Sequence, residues 1–262
     1  MKLPPRSHQS SGSGPGYIRA VRLKRAEVPS FAQYPFCIPV VRHLERLELH
    51  PAVTFLVGEN GSGKSTLVEA IATKFGFNAE GGSKNFNFAT EATHSALKDY
   101  LVLEKSAARA TDGYFLRAES FYNVATEVDR LGVTGGYGQK SLHAQSHGEA
   151  FLALLTERFQ GGGLYLLDEP EAALSPQRQL SVLVLLHRLV LHESQLIIAT
   201  HSPILLAYPR ARIYRCGESG LTEIRYTDTE HYQITKDFLN SHERSLERLL
   251  GEEDRDFAAS RR

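Results

Sequence analysis

Three features of the sequence predict an α/β fold with a mostly parallel sheet flanked by helices. Short apolar runs, VTFLV at 53–57, LYLL at 164–167 and QLIIA at 195–199, have no polar face and read as strands buried on both sides. Between them lie segments with a 3.6-residue apolar period, and strands alternating with helices imply a parallel sheet covered on both faces. The third feature is the glycine-rich turn GENGSGKST, which joins the first of these strands to the first of these helices.

The elements follow in order. Residues 1–16, rich in Ser, Gly and Pro, carry no apolar periodicity and no apolar signal core; they read as a disordered lead-in. Structure is expected from Tyr17, where IRAVRLK forms a strand with Ile18, Ala20, Val21 and Leu23 as its apolar members. After Gly63, the spacing of Leu67, Val68, Ile71, Ala72 and Phe75 predicts a helix that stops at Gly76. The polar tract from 75 to 95 reads as a surface excursion, and YFLRA as a strand. A second glycine-rich stretch, 132–140, precedes the helical EAFLALLTERF. Ser175 as N-cap and Pro176 at the first helical position start the helix SPQRQLSVLVLLHRLVL. The stretch from 237 to 250 forms one or two amphipathic helices, and DTEHYQ before it reads as a turn and helix start. Residues 17–262 are expected to make one domain, with a subregion over about 76–148 and a helical extension over about 228–262.

Composition narrows the function classes. Apolar residues at 42% and charged residues at 23% are ordinary for a globular chain. Thirty basic and thirty acidic side chains give no net charge, which excludes a nucleic-acid binder driven by bulk charge. No apolar run reaches the ~18 residues of a membrane helix. The two cysteines, Cys37 and Cys216, have no metal-site spacing and are expected as free thiols in a reducing, cytoplasmic setting.

The chemistry concentrates in three places. Gly58, Glu59, Asn60, Gly61, Ser62, Gly63, Lys64 and Ser65 match G-x-x-x-x-G-K-[ST], with Thr66 following. Glycines let the backbone N–H groups curl around phosphates, and the helix N-terminus adds its positive dipole end. Lys64 would bridge the β- and γ-phosphates, Ser65 would ligate Mg²⁺ and Thr66 would reach the α-phosphate. A strand ending in Asp168 puts a second Mg²⁺ ligand at the carboxyl edge of the sheet, where ligands bind in open α/β folds. Glu169 is then placed as general base for an attacking water. His201, after the strand IIAT, stands at the same sheet edge and could bond the γ-phosphate and orient Glu169.

With AQSHGEAF added, the chain resembles the ABC-type ATPases, whose signature L-S-G-G-[QE] is matched at Ser146, Gly148 and Glu149; Gln145 and His147 depart from it. GENGSGKSTL, YFLRAESFYN, QSHGE, LLDEPEAALSP, ATHSPILL and DTEHYQITKDFL are together similar to small stand-alone bacterial AAA-type ATPases of the RecF/SMC-like group. The resemblance implies a P-loop NTPase fold with a small antiparallel strand region and a reduced helical subdomain. It also implies a head-to-tail, ATP-dependent homodimer that hydrolyses Mg²⁺–ATP, each site completed by Ser146–Gly148 of the partner, and a DNA or protein client.

Departures from the family pattern matter too. The glutamine that senses Mg²⁺ in ABC proteins has no clear counterpart; Glu119 is the candidate, with a plain surface glutamate as the alternative. Ser175 stands where the family has an aspartate that contacts the partner. Tyr34, rather than Phe36, is the candidate to stack on adenine, although either could be core. A transporter's nucleotide-binding subunit is the competing reading; the altered signature, the missing glutamine and GEN in the loop weigh against it. A nucleic-acid switch would use the basic run Lys2, Arg6, Arg19, Arg22, Lys24 and Arg25, and a kinase or GTPase monomer would leave QSHGE and His201 without purpose.

Overall fold

A computed structural model describes residues 16–83, 95–118, 147–172 and 174–259. Two sheets organise them. The larger has six strands in the order β5(Asp112–Arg117), β6(Gly163–Asp168), β7(Gln195–Ala199), β3(Val53–Val57), β8(Ala211–Gly217), β9(Gly220–Ile224). All its neighbours are parallel except the β8–β9 hairpin at one edge. The smaller sheet is antiparallel, with β1(Ile18–Leu23) between β2(Arg46–Glu48) and β4(Leu101–Lys105).

The three apolar runs are central strands of the large sheet, and their alternation divides two cores. Val53, Phe55 and Val57, with Tyr165, Leu167, Leu196 and Ile198, face one core. Against them pack α4(His147–Arg158) and α5(Pro176–Leu191). Leu56, Leu164, Leu166, Ile197 and Ala199 face the other core, with α1(Pro39–Arg42), α2(Lys64–Phe75), α3(Leu97–Tyr100) and the small sheet. Burial on both faces removes the need for a polar side and explains runs without alternation.

Gln195 opens β7 as a fully buried amide and joins the two sheets. Its Oε1 accepts from the N–H groups of Tyr17 at 2.7 Å and Ile18 at 2.9 Å, and its Nε2 donates to the carbonyls of Ile18 at 2.8 Å and His50 at 3.1 Å. A buried amide with all these bonds made carries no desolvation penalty of the unpaired kind.

The expected boundaries hold for α2, which ends at Gly76 in the left-handed region with φ 113°. They hold also for α5, whose Ser175 hydroxyl accepts from the Arg178 N–H at 3.4 Å. The tract from 75 to 95 departs from a surface excursion in its first part: Phe77 and Ala79 are buried, and Gly82 pairs with Phe115 on β5. Residues 101–105 and 112–117 supply a strand to each sheet. Beyond α6(Pro203–Leu206) and the β8–β9 hairpin, two helices close the chain: α7(Glu230–Asn240) and α8(His242–Ala259). Cys37 and Cys216 are free thiols, and none of the described helices is long and apolar enough to cross a membrane.

Candidate nucleotide site

Parallel pairing brings the carboxyl ends of β3, β6 and β7 to one edge of the sheet. The glycine-rich loop leaves β3 there and enters α2 at Lys64. Two glycines are required by geometry. Gly63 holds φ 94°, and a Cβ on it would stand 2.4 Å from Ile38 Cγ2; one on Gly58 would stand 2.4 Å from the Cys216 carbonyl oxygen. Lys64 is almost fully buried, and its Nζ donates to the carbonyls of Gly58 and Glu59, both at 2.8 Å. Burial lowers the lysine's pKa, while the charges of Glu169, Asp168 and Glu171 pull it back up.

Ser65 lies one residue into α2 and donates its hydroxyl to Asp168 Oδ1 at 2.9 Å, across 103 positions of sequence. Asp168 ends β6 and is itself buried. The next residue, Glu169, adopts φ 52°, unusual for a residue with a side chain. Its N–H still donates to the Ala199 carbonyl of β7 at 2.9 Å, so the chain leaves the sheet there and the side chain joins the wall of the cleft. His201, just beyond β7, brings Nε2 to 3.5 Å from Glu169 Oε1. Burial first, then the Lys64 charge, lowers the pKa of His201, with Glu169 opposing.

A cavity of about 580 Å³ is lined by Asn60, Gly61, Gly63, Lys64, Ser65, Thr66 and Glu169, with Tyr34 and Ile38 on its outer wall. Tyr34 is 66% exposed there, whereas Phe36 is a core residue packed edge-on against Tyr100. A second cavity of about 600 Å³, also bordered by the loop, runs between Gly58–Ser62, residues 215–219 and Glu230.

Other expected residues lie apart. Gly148 is buried in the first turn of α4, and Glu149 pairs with Arg178 at 3.2 Å; neither lines these two cavities. Ser146 and Glu119 fall outside the described residues. Of the basic run, Lys2 and Arg6 also fall outside; Arg22 pairs with Glu104 at 3.1 Å and Lys24 with Glu27 at 2.9 Å.

Three further residues enter the site, none of which the sequence alone assigns to it. Arg117 ends β5 in register with Asp168, its Nε 3.7 Å from Asp168 Oδ2 and its Nη1 2.8 Å from Glu69 Oε2. Glu171 accepts from the backbone N–H of His201, and burial raises its pKa. His231 of α7 places Nε2 3.0 Å from His201 Nδ1. Arg117 belongs to YFLRAES, Glu171 to LLDEPEAALSP and His231 to DTEHYQ, and nothing local in these motifs identifies the partners.

Two family models match the chain. One, described as "AAA domain", spans residues 30–128. The other, described as "AAA domain, putative AbiEii toxin, Type IV TA system", spans residues 130–207. No curated protein matches. Among solved structures, the SMC head domain from Thermotoga maritima is similar at 18% identity and TM-score 0.44, over 80% of this chain and 98% of that one. The cbiO1 protein of a Clostridium perfringens ABC transporter complex, cbiONQ, is similar at 17% identity and TM-score 0.43, over 76% and 88%. The first AAA match takes in the phosphate loop and the second takes in the acidic strand end and His201, and together the two partial matches support a P-loop ATPase.

Proposed function

We propose that the chain hydrolyses Mg²⁺–ATP in a site closed by a second copy of itself, and that this closure acts on a DNA or protein client. The observation that carries the reading is the convergence of Lys64, the Ser65–Asp168 pair and the Glu169–His201 pair on one sheet edge, beside a loop whose amides open a helix. Backbone N–H groups and the N-terminal dipole of α2 would hold the phosphates, with Lys64 turning from its loop carbonyls to the β- and γ-oxygens. Tyr34, exposed on the outer wall, would stack on the base.

Ser65 and Asp168 suit a magnesium ion, since Mg²⁺ binds through one or two hard oxygens with phosphate and water completing its shell. Bound there, it would supply neutralisation of the charge that builds on the β- and γ-phosphate oxygens. Glu169 would accept the proton of the attacking water, whose oxygen bonds to the γ-phosphorus as the bond to ADP breaks. His201 Nε2–H would orient Glu169 and the γ-phosphate. Ser146–Gly148 of the second copy would approach the γ-phosphate from the open side, so that its charge is matched only when both copies are present.

Glu169→Gln tests this. The amide keeps the shape but accepts no proton, so hydrolysis should fall by a factor on the order of 10²–10⁴ while ATP binding persists. Size-exclusion chromatography with light scattering should then show ATP holding two subunits together. Wild-type turnover in this variant would remove Glu169 as the base; a monomer in saturating ATP would remove the shared site.

A further inference from the structure

Two rings that meet at 3.0 Å through nitrogen atoms need one proton between them. His201 Nδ1 and His231 Nε2 are such a pair, with ring centroids 5.1 Å apart. One nitrogen of the pair must therefore donate and the other accept; burial, the facing ring and the Lys64 ammonium lower the pKa of His231 against the pull of Glu230 and Glu171, and burial with Lys64 lowers that of His201 against Glu169. The nearest carboxylate favours one direction. Glu169 Oε1 lies 3.5 Å from His201 Nε2 and favours a proton on that nitrogen. His201 Nδ1 is then a bare acceptor, and His231 Nε2–H is the donor.

Local structure puts His231 there. Thr229 caps α7: its hydroxyl accepts from the Tyr232 N–H at 3.3 Å and donates to the Tyr226 carbonyl at 2.8 Å. Tyr226 OH in turn donates to the Pro203 carbonyl at 3.0 Å, which fastens this turn to the segment that follows His201. None of the residues of α7 is fully buried, so core packing alone does not dictate a histidine at 231. The neighbouring Glu230 lines a second cavity bordered by the phosphate loop, so the first turn of α7 approaches the loop as well as His201.

We propose that His231 is a positioning residue for hydrolysis: its Nε2–H bond holds His201 as the Nε2–H tautomer, aimed at Glu169 and the phosphate end of the cleft. This rests on the role given above to His201.

Side-chain ¹⁵N NMR of histidine-labelled full-length protein, read beside steady-state ATP hydrolysis, tests it. Wild-type His201 should show a protonated Nε2 and a bare Nδ1. His231→Leu should give a mixture of tautomers and lower kcat on the order of tenfold or more, with KM for ATP within about twofold. His231→Gln, whose amide can donate from the same position, should return kcat to within about threefold of wild type. The proposal is overturned by wild-type His201 protonated on Nδ1, by wild-type kcat in His231→Leu, or by His231→Gln as slow as His231→Leu. His201→Ala separates the two levels. If it hydrolyses at the wild-type rate, the role of His201 falls and this inference with it; if it is slow while His231→Leu is not, this inference falls alone.

Discussion

At the scale of single residues, the site is a set of charges whose partners are already in place. Lys64 is held by two loop carbonyls and surrounded by three carboxylates, so Lys64→Ala should abolish hydrolysis and strongly weaken nucleotide binding. Calorimetric ATP titration with a phosphate-release assay checks it, and turnover at the wild-type rate would refute the loop assignment. Arg117 bridges Glu69 and Asp168, and both carboxylates are largely out of solvent. Arg117→Met leaves Glu69 without this cation and Asp168 less well held. Folding stability should fall by about 1–3 kcal/mol, and the Mg²⁺-dependent part of ATP affinity should weaken. Urea denaturation and ATP titrations with and without Mg²⁺ measure the two effects; no change in either would make Arg117 a bystander.

At the scale of elements, the edge strand β5 is fastened by one carboxylate. Asp112 accepts from Tyr165 OH at 2.6 Å and from Arg158 Nη1 at 2.8 Å, linking β5 to β6 and to the end of α4. Burial raises the pKa of Asp112, but the Tyr165 and Arg158 hydrogen bonds outweigh it and the net shift is downward. A lowered folded pKa contributes stability above the unfolded value near 4 and loses it as pH falls through the folded value. Asp112→Asn should therefore cost about 1–3 kcal/mol at neutral pH, and the gap from wild type should close in acid. Urea midpoints measured between pH 7 and pH 3 decide it; a gap constant across that range would sink the assignment. The phosphate loop is equally exacting. Gly63→Ala sets a Cβ against Ile38 at φ 94° and should abolish ATP binding, whereas Gly61→Ala, at φ 81° in open space, meets backbone strain only and should bind more strongly than Gly63→Ala. The reverse order would mean that Ile38 gives way.

For the whole molecule, two cores back to back on one sheet hold the site at the edge, where Tyr34 stands in solvent. On the proposed reading, a second copy closes the site from this edge. Ser146→Arg should leave ATP binding to the isolated subunit nearly intact and block the ATP-driven dimer of the Glu169→Gln protein. Light scattering and calorimetry distinguish this from Ser146 acting in its own subunit's pocket, where binding and hydrolysis would be lost together.

The sequence by itself determined the parallel sheet, the loop and its helix, and the order of the charged positions at strand ends. These are local properties: a run buried on both faces carries no alternation, and a Gly-Lys-Ser turn between strand and helix names its own ligand chemistry. Only the tertiary structure decided which strands are neighbours, and with that which side chains meet. Arg117 reads as one more residue of YFLRA until the β5–β6 register sets it opposite Asp168. DTEHYQ is a turn and helix start, as its local pattern predicts, with Thr229 as the cap. That pattern holds no trace of His201, thirty residues away, because a hydrogen bond between two rings depends on how α7 docks. Gln195 likewise looks out of place in QLIIA until two sheets close on its amide and satisfy it. Periodicity records how much of each side chain leaves water; the identity of the partner it finds there is set by packing over long sequence separations.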